Sequence, residues 1–176
     1  MQHPEHAALI ARVLAIPPKR FDRTIVPFLE RAETSALLAA HDQDRRTGRR
    51  DHALLTVAVQ TGMRVSELRG LTRQDVQLGS RAHIRCTGKG RKQRSTPLTC
   101  STAKVLAAWM RERAGGPSDP LFPTSRGRAL SRDTIALLVT KYATMAAHTC
   151  PTLRAKPVSP HTLRHTCPMN LVRSGS

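Results

Sequence analysis

Thr61-Gly62-Met63-Arg64-Val65-Ser66-Glu67-Leu68 is the stretch on which the reading turns. Upstream, Leu54, Leu55, Ala58 and Val59 share the apolar side of a helix expected over Asp51–Gln60. Thr61-Gly62 ends that helix, because glycine takes up a left-handed terminus without steric cost. A short helix containing Val65 and Leu68 follows, so a lone arginine is presented at a seam between two helices. Thr72-Arg73-Gln74-Asp75 then has the form of a capping box with Asp in the Glu role.

Outward from this seam the chain is helical on both sides of one interruption. Glu33–His41 reads as a helix carrying Leu37 and Leu38, and Asp42–Arg50 as a polar turn. Ala82–Thr87 and Gln93–Leu98 alternate in polarity around the turn Gly88-Lys89-Gly90-Arg91-Lys92, which predicts a β-hairpin. Helix resumes near Thr102, with Val105, Leu106, Trp109 and Met110. Gly115–Pro123 is loop. Ser131 caps a long helix with Ile135, Leu138, Val139, Tyr142 and Met145 at helical spacing. Cys150–Val158 reads as a basic loop. Ser159-Pro160 opens the last helix, Ser as N-cap and Pro at the first helical position. The fold class expected is mainly α with a small antiparallel β-sheet (α+β). Pro17-Pro18-Lys19-Arg20 reads as an extended basic linker, and the compact domain is expected to begin near Pro27.

Charge narrows the partner. The 176 residues hold 29 Lys and Arg against 12 Asp and Glu, a net +17. That excess points to a polyanion, and nucleic acid is the first candidate. Aromatic residues make up only 3% of the chain, too few for base-stacking platforms, so contact with duplex phosphates is favoured over single-strand binding. No apolar run matches a membrane span, and the first residues lack the pattern of a signal peptide. Cys86, Cys100, Cys150 and Cys167 form no C-x-x-C pair, which argues against structural zinc and for reduced thiols in the cytoplasm. His161 and His165 lie four apart, but residue 162 is Thr, so the H-E-x-x-H zinc helix is absent. The turn around Lys89 lacks the spacing of a phosphate-binding Walker loop.

Metal-free cleavage of a phosphodiester is chiefly an electrostatic problem. Negative charge grows on the non-bridging oxygens, and the leaving oxygen needs a proton. Arginine holds two phosphate oxygens in its planar fork, and Lys or His can deliver or relay the proton. Arg64, Lys89, His161 and Arg164 supply that set from separate segments.

These motifs, Thr61–Thr72, the Gly88–Arg94 turn and Ser159–His165, resemble those of the tyrosine recombinases, the phage-integrase family that includes Xer-type enzymes. The resemblance covers roughly residues 20–176. It implies that Arg64 and Arg164 clamp the scissile phosphate, that Lys89 is the general acid, and that His161 assists proton transfer. Glu67 would support the helix bearing the first arginine. Arg91, Lys92, Arg94, Lys19, Arg20 and His165 would contact double-stranded DNA. A tyrosine would attack to give a 3′-phosphotyrosyl link, with no metal or other cofactor. The biology implied is site-specific DNA recombination, integration or transposition.

Three departures from the pattern shape the expectation. The one tyrosine, Tyr142, precedes His161 and sits on the apolar stripe of its helix, which makes it a core residue rather than the nucleophile. Pro168 falls inside the last helix, where loss of one amide and a clash with the preceding turn cost about 3 kcal/mol, and a bend after Arg164 is expected. Residues 1–26 read as a remnant of an N-terminal core-binding domain plus linker, and 27–176 as a catalytic domain that stops before its tyrosine. The expected product is an inactive or incomplete recombinase, monomeric although the family forms tetramers on DNA. The alternative is a non-catalytic basic protein that binds duplex DNA. Whether this chain is itself an enzyme is left open by its sequence.

Overall fold

The computed structural model describes residues 27–87, 93–113 and 115–173, with side chains as far as Cys167. Among the described residues six α-helices accompany one small sheet: α1 (Arg31–Ala39), α2 (Arg46–Thr61), α3 (Val65–Gly70), then β1 (Val76–Gln77), β2 (His83–Thr87) and β3 (Gln93–Pro97), then α4 (Cys100–Glu112), α5 (Arg132–Ala146) and α6 (Pro160–Arg173). The α+β architecture expected from the pattern is the one observed.

Helix α2 is the axis of the fold. Ala53, Leu54, Leu55, Thr56, Val57, Ala58 and Val59 are all buried, so this helix is enclosed around its whole circumference. It packs against both α4 and α6, and α1 packs against α5. The helix begins at Arg46, five residues earlier than the polar pattern suggested. Its first turns are polar because they are paired: Arg49 forks onto Glu112 of α4 at 2.7 and 2.8 Å, and Arg50 holds Asp51 at 2.7 and 2.8 Å. Periodicity of apolar residues cannot reveal a helical turn anchored by charge.

The hairpin strands appear in antiparallel register, Ile84 opposite Thr96 and Cys86 opposite Arg94. Ile84 and Cys86 point into the core while Arg85 and Thr87 face solvent. A third strand, β1, joins the outer edge of β2 through Val76 and Ile84; two residues are too short to show alternation. The Gly88–Lys92 turn lies outside the described residues. The capping box at Thr72 is present, its amide and hydroxyl both donating to Asp75 Oδ2 at 2.8 and 2.7 Å. Residues Pro151–Ala155, expected as loop, form a 3₁₀ turn begun by proline. Helix α6 continues through Pro168 to Arg173, so proline does not end it; one missing amide leaves the remaining ladder to carry the helix.

Tyr142 is a core residue, 3% exposed. Its hydroxyl donates to Asp51 Oδ2 at 2.9 Å, and the His41 ring stacks on it at 3.8 Å. Burial, with Asp51 beside it, raises the tyrosine pKa well above its ordinary value. Two long-range contacts close the fold: the Leu29 amide donates to Thr166 Oγ1 of α6 at 2.9 Å, and Lys156 meets the buried Glu33 at 2.6 Å. Burial alone would raise the Glu33 pKa, but the Lys156 contact and the Glu30 amide outweigh it and leave the carboxyl below its usual value.

Two outcomes follow. Gly62 has φ +60, and a Cβ there would stand 3.1 Å from Cys167 Cβ and 3.2 Å from the Arg164 carbonyl oxygen. Gly62→Ala is expected to destabilise the protein by about 2 kcal/mol, from left-handed strain plus displacement of α6, read by urea denaturation. His41 is buried, which lowers its pKa to about 4, with the Leu38 carbonyl bond opposing. The unfolded chain binds this proton below about pH 6.5 and the folded chain only near 4. Stability from His41 is therefore complete above pH 6.5 and is lost as pH falls from there towards 4, on the order of 2–3 kcal/mol. His41→Phe should flatten the melting temperature across that window; an unchanged slope would show that other groups set it.

Candidate functional site

The site is built from the seam that opened the sequence reading. Gly62 turns the chain out of α2, and Arg64 becomes the N-cap of α3 in extended conformation, φ −67 and ψ 151. Its side chain is 57% exposed, directed outward, while Glu67 three residues later is 4% exposed. The Glu67 carboxylate does three things at once. Oε2 accepts the Arg64 amide at 2.8 Å, Oε1 meets the Arg64 guanidinium at 3.3 Å, and Oε2 also accepts Arg94 Nη2 from β3 at 2.8 Å. Arg94 Nε completes the link on Cys86 Sγ at 3.1 Å. Cys86 and then Glu67 hold the Arg94 guanidinium above its ordinary pKa. The carboxylate thereby fixes the arginine at the helix seam and ties α3 to the hairpin.

Arg164 arrives from α6. Its Nη1 donates to the Gly62 carbonyl at 3.0 Å, which locks the second arginine to the turn that presents the first. Cys167, one helical turn on, donates its Sγ–H to the Gln60 carbonyl at 2.9 Å. Burial raises the Cys167 thiol pKa, with Arg164 opposing, so it is a strut rather than a nucleophile. His161 and His165 are joined through Nε2 atoms 2.9 Å apart, their rings edge-on at 4.3 Å. In an N–H···N bond of this kind one ring donates and the other accepts.

Arg64, His161 and Arg164 line a single cavity of about 780 Å³, together with Met63, Val65, Ser66, Arg69, Arg132, Ala136, Ser159 and Pro160. None of these lining residues is acidic, and four are arginine. The first turn of α6 (Pro160, His161) opens onto the cavity, and a helix N-terminus favours an anion. Among the described residues no group of His, Cys, Asp and Glu could hold a metal. The arrangement is suited to holding a phosphate by electrostatics and to moving a proton through the histidine pair.

The structure thus brings together three of the four residues expected to act on phosphate and places Glu67 behind them. Lys89, Arg91, Lys92, Lys19 and Arg20 lie outside the described residues. Arg94, expected to touch DNA, spends its Nε and Nη2 inward on Cys86 and Glu67. His165 sits against His161. Sequence reasoning missed Arg69 and Arg132 as members of the cavity. Arg69 is in the motif run and was within reach; Arg132 merely follows the α5 cap, and nothing local connects it to the site.

A phage integrase family model matches residues 27–176. The Sinorhizobium fredii protein y4rC, provisionally named an integrase/recombinase, is 51% identical over 98% of this chain and 52% of its own length. Tyrosine recombinase XerD of Pseudomonas aeruginosa is 37% identical, over 84% of this chain and 49% of the relative. A solved structure of the XerH site-specific recombinase bound to difH substrate, a pre-cleavage complex, superposes with a TM-score of 0.70 at 26% identity, covering 85% of this chain and 44% of that one. The chain spans about half the length of the curated relatives it matches.

Glu67→Ala should cost about 2 kcal/mol in urea denaturation, because it strands two arginines that it now organises. Glu67→Gln should recover part of that loss by keeping one oxygen for the Arg64 amide. If the alanine variant is as stable as the parent, the tether is ornamental.

Proposed function

The chain belongs to the phage integrase family, and on that footing we propose that it provides the phosphate-binding and phosphate-activating part of a tyrosine recombinase acting on double-stranded DNA. The observation that carries this reading is the cavity that unites Arg64, His161 and Arg164 with no carboxylate on its wall. Arg64 and Arg164 grip the non-bridging oxygens of the scissile phosphate, each guanidinium oriented by a contact at the α2–α3 seam: Glu67 of α3 for the first, the Gly62 carbonyl for the second. Preoriented donors of this kind stabilise the charge that grows in the transition state. His161, hydrogen-bonded to His165, holds or relays a proton at its ring nitrogen. Lys89, whose sequence lies between β2 and β3, belongs to this set by its motif and serves as the acid for the leaving 5′ oxygen.

Tyr142 has no part in the chemistry. It is buried, its hydroxyl is engaged by Asp51, and its ionisation is suppressed. The attacking tyrosine, which forms the 3′-phosphotyrosyl link, is therefore not Tyr142. The XerH complex with its difH substrate supports duplex DNA as the partner. The reaction in the whole protein is site-specific strand cleavage and rejoining.

Binding of duplex DNA by this chain should weaken linearly in log–log form with salt. The Arg64→Ala/Arg164→Ala double variant should flatten that slope by about 1 and weaken binding more than Arg128→Ala, an exposed arginine of the 124–128 turn, does. Equal effects would leave a generic basic DNA-binding protein as the better description. On a nicked duplex the 176-residue chain should form no SDS-resistant adduct; an adduct lost in Tyr142→Phe would overturn the assignment of Tyr142 to the core.

A further inference from the structure

A second cavity, of about 590 Å³, shares no residue with the first and lies where the end of α4 meets the Arg73–Asp75 turn. Its wall comprises Arg73, Arg111 and Arg113, with Leu78, Ala107, Met110 and Gly115. Arg113 is the unusual member. It is 3% exposed, yet its Nε and Nη1 have no hydrogen-bond partner among the described residues. The nearest carboxylate, Asp119, is 3.8 Å from Nη2, half exposed, and already accepts the Gly116 amide at 2.8 Å. A guanidinium stays ionised at any physiological pH, and a buried charge without close partners is strongly disfavoured. Burial draws the Arg113 pKa down; Asp119 opposes this, and Arg73 and Arg46 add to it.

The surroundings deepen the need for an anion. Arg73 Nη1 is spent on the carbonyls of Met110 and Arg113, which keeps a second cation against the first. Gly115, at φ +152, packs closely against Arg113 and Asp119: a Cβ there would fall 2.5 Å from Asp119 Oδ2 and 3.2 Å from Arg113 Nη1, so only glycine fits beside the guanidinium. Beside the arginines Leu78 is 40% exposed, one of three large apolar side chains left open to solvent among the described residues.

We propose that this cavity is a docking site for a peptide segment of a partner protein, in which a side-chain carboxylate pairs with Arg113 and an adjacent apolar side chain covers Leu78 and Met110. Charge complementarity selects a carboxylate or phosphate, since planar guanidinium donors match either. The recessed position of Arg113 and the apolar wall select the carboxylate on a flexible stem over a phosphate carried on the stiff, apolar-poor rim of a duplex. The site stands on different residues from the DNA-phosphate cavity and does not depend on the function proposed for it.

The probe is acetyl-Leu-Glu-Leu-amide, with acetyl-Leu-Gln-Leu-amide as its neutral match, followed by the Arg113 Nε–Hε signal in nitrogen-15 NMR. The Glu peptide should shift this signal at least ten times more tightly than the Gln peptide. Arg113→Leu should abolish the binding and raise the melting temperature of the free protein, as expected when an unpaired buried charge is removed. Should Arg113→Leu fail to fold, Arg111→Ala, at an exposed position, should keep the melting temperature and weaken the Glu peptide severalfold. Equal binding of the two peptides, or retained binding in these variants, would overturn the proposal. A shift of the same signal by a short DNA duplex and not by the Glu peptide would also overturn it, and would assign the cavity to nucleic-acid contact.

Discussion

A single buried carboxylate holds the functional half of this molecule together. Glu67 sits 7% exposed beneath the surface of α3, and three donors from two elements converge on it: the Arg64 amide, the Arg64 guanidinium and Arg94 of β3. With two donors on Oε2 and one on Oε1, the desolvation of this carboxylate is offset by charge-assisted bonds rather than by water. The consequence reaches beyond α3. The β2–β3 pair is moored to the arginine seam through the same atom, Glu67 Oε2, so the position of these strands relative to Arg64 depends on Glu67.

The same use of acids recurs through the fold. Asp51 binds Arg50 and the Tyr142 hydroxyl beneath α5; Glu33 binds Lys156 beneath α1; Glu112 binds Arg49 between α2 and α4. In a chain with only 12 acidic residues, burying Glu33, Asp51 and Glu67 leaves fewer to neutralise the surface. The cavity with four arginines and no acid is the local result. An interior organised by buried acids and an exterior dominated by cations are one design, and the positive field that attracts a polyanion follows from it.

Much of this was visible in the chain. The helix–Gly–helix seam, the hairpin, the Ser131 and Ser159 caps and the core role of Tyr142 are all local patterns, set by neighbours within a few residues, and each appears in the structure. The misreadings share a cause. The first turn of α2 reads as a polar loop because its charges are satisfied by Glu112 and Asp51 rather than by solvent. β1 escaped because two residues have no period. The inward partners of Arg94, Glu67 and Cys86, come from another helix and another strand, and no local pattern announces them.

What the sequence by itself determined is the set of chemical parts and their order: two arginines, a histidine and a lysine, each beside a recognisable cap or turn. Local rules suffice for that, since a cap or a left-handed glycine is decided by residues within one turn. Only the tertiary structure decided which of these parts meet. Arg164 joins Arg64 because α6 packs on α2 and its guanidinium finds the Gly62 carbonyl. Arg132 enters the same cavity because α3 and α6 both pack against α5. Arg113 is left buried beside Arg73 because the end of α4 closes over the Arg73–Asp75 turn. These are long-range contacts whose geometry depends on how helices pack, and packing is a property of the whole core rather than of any one stretch.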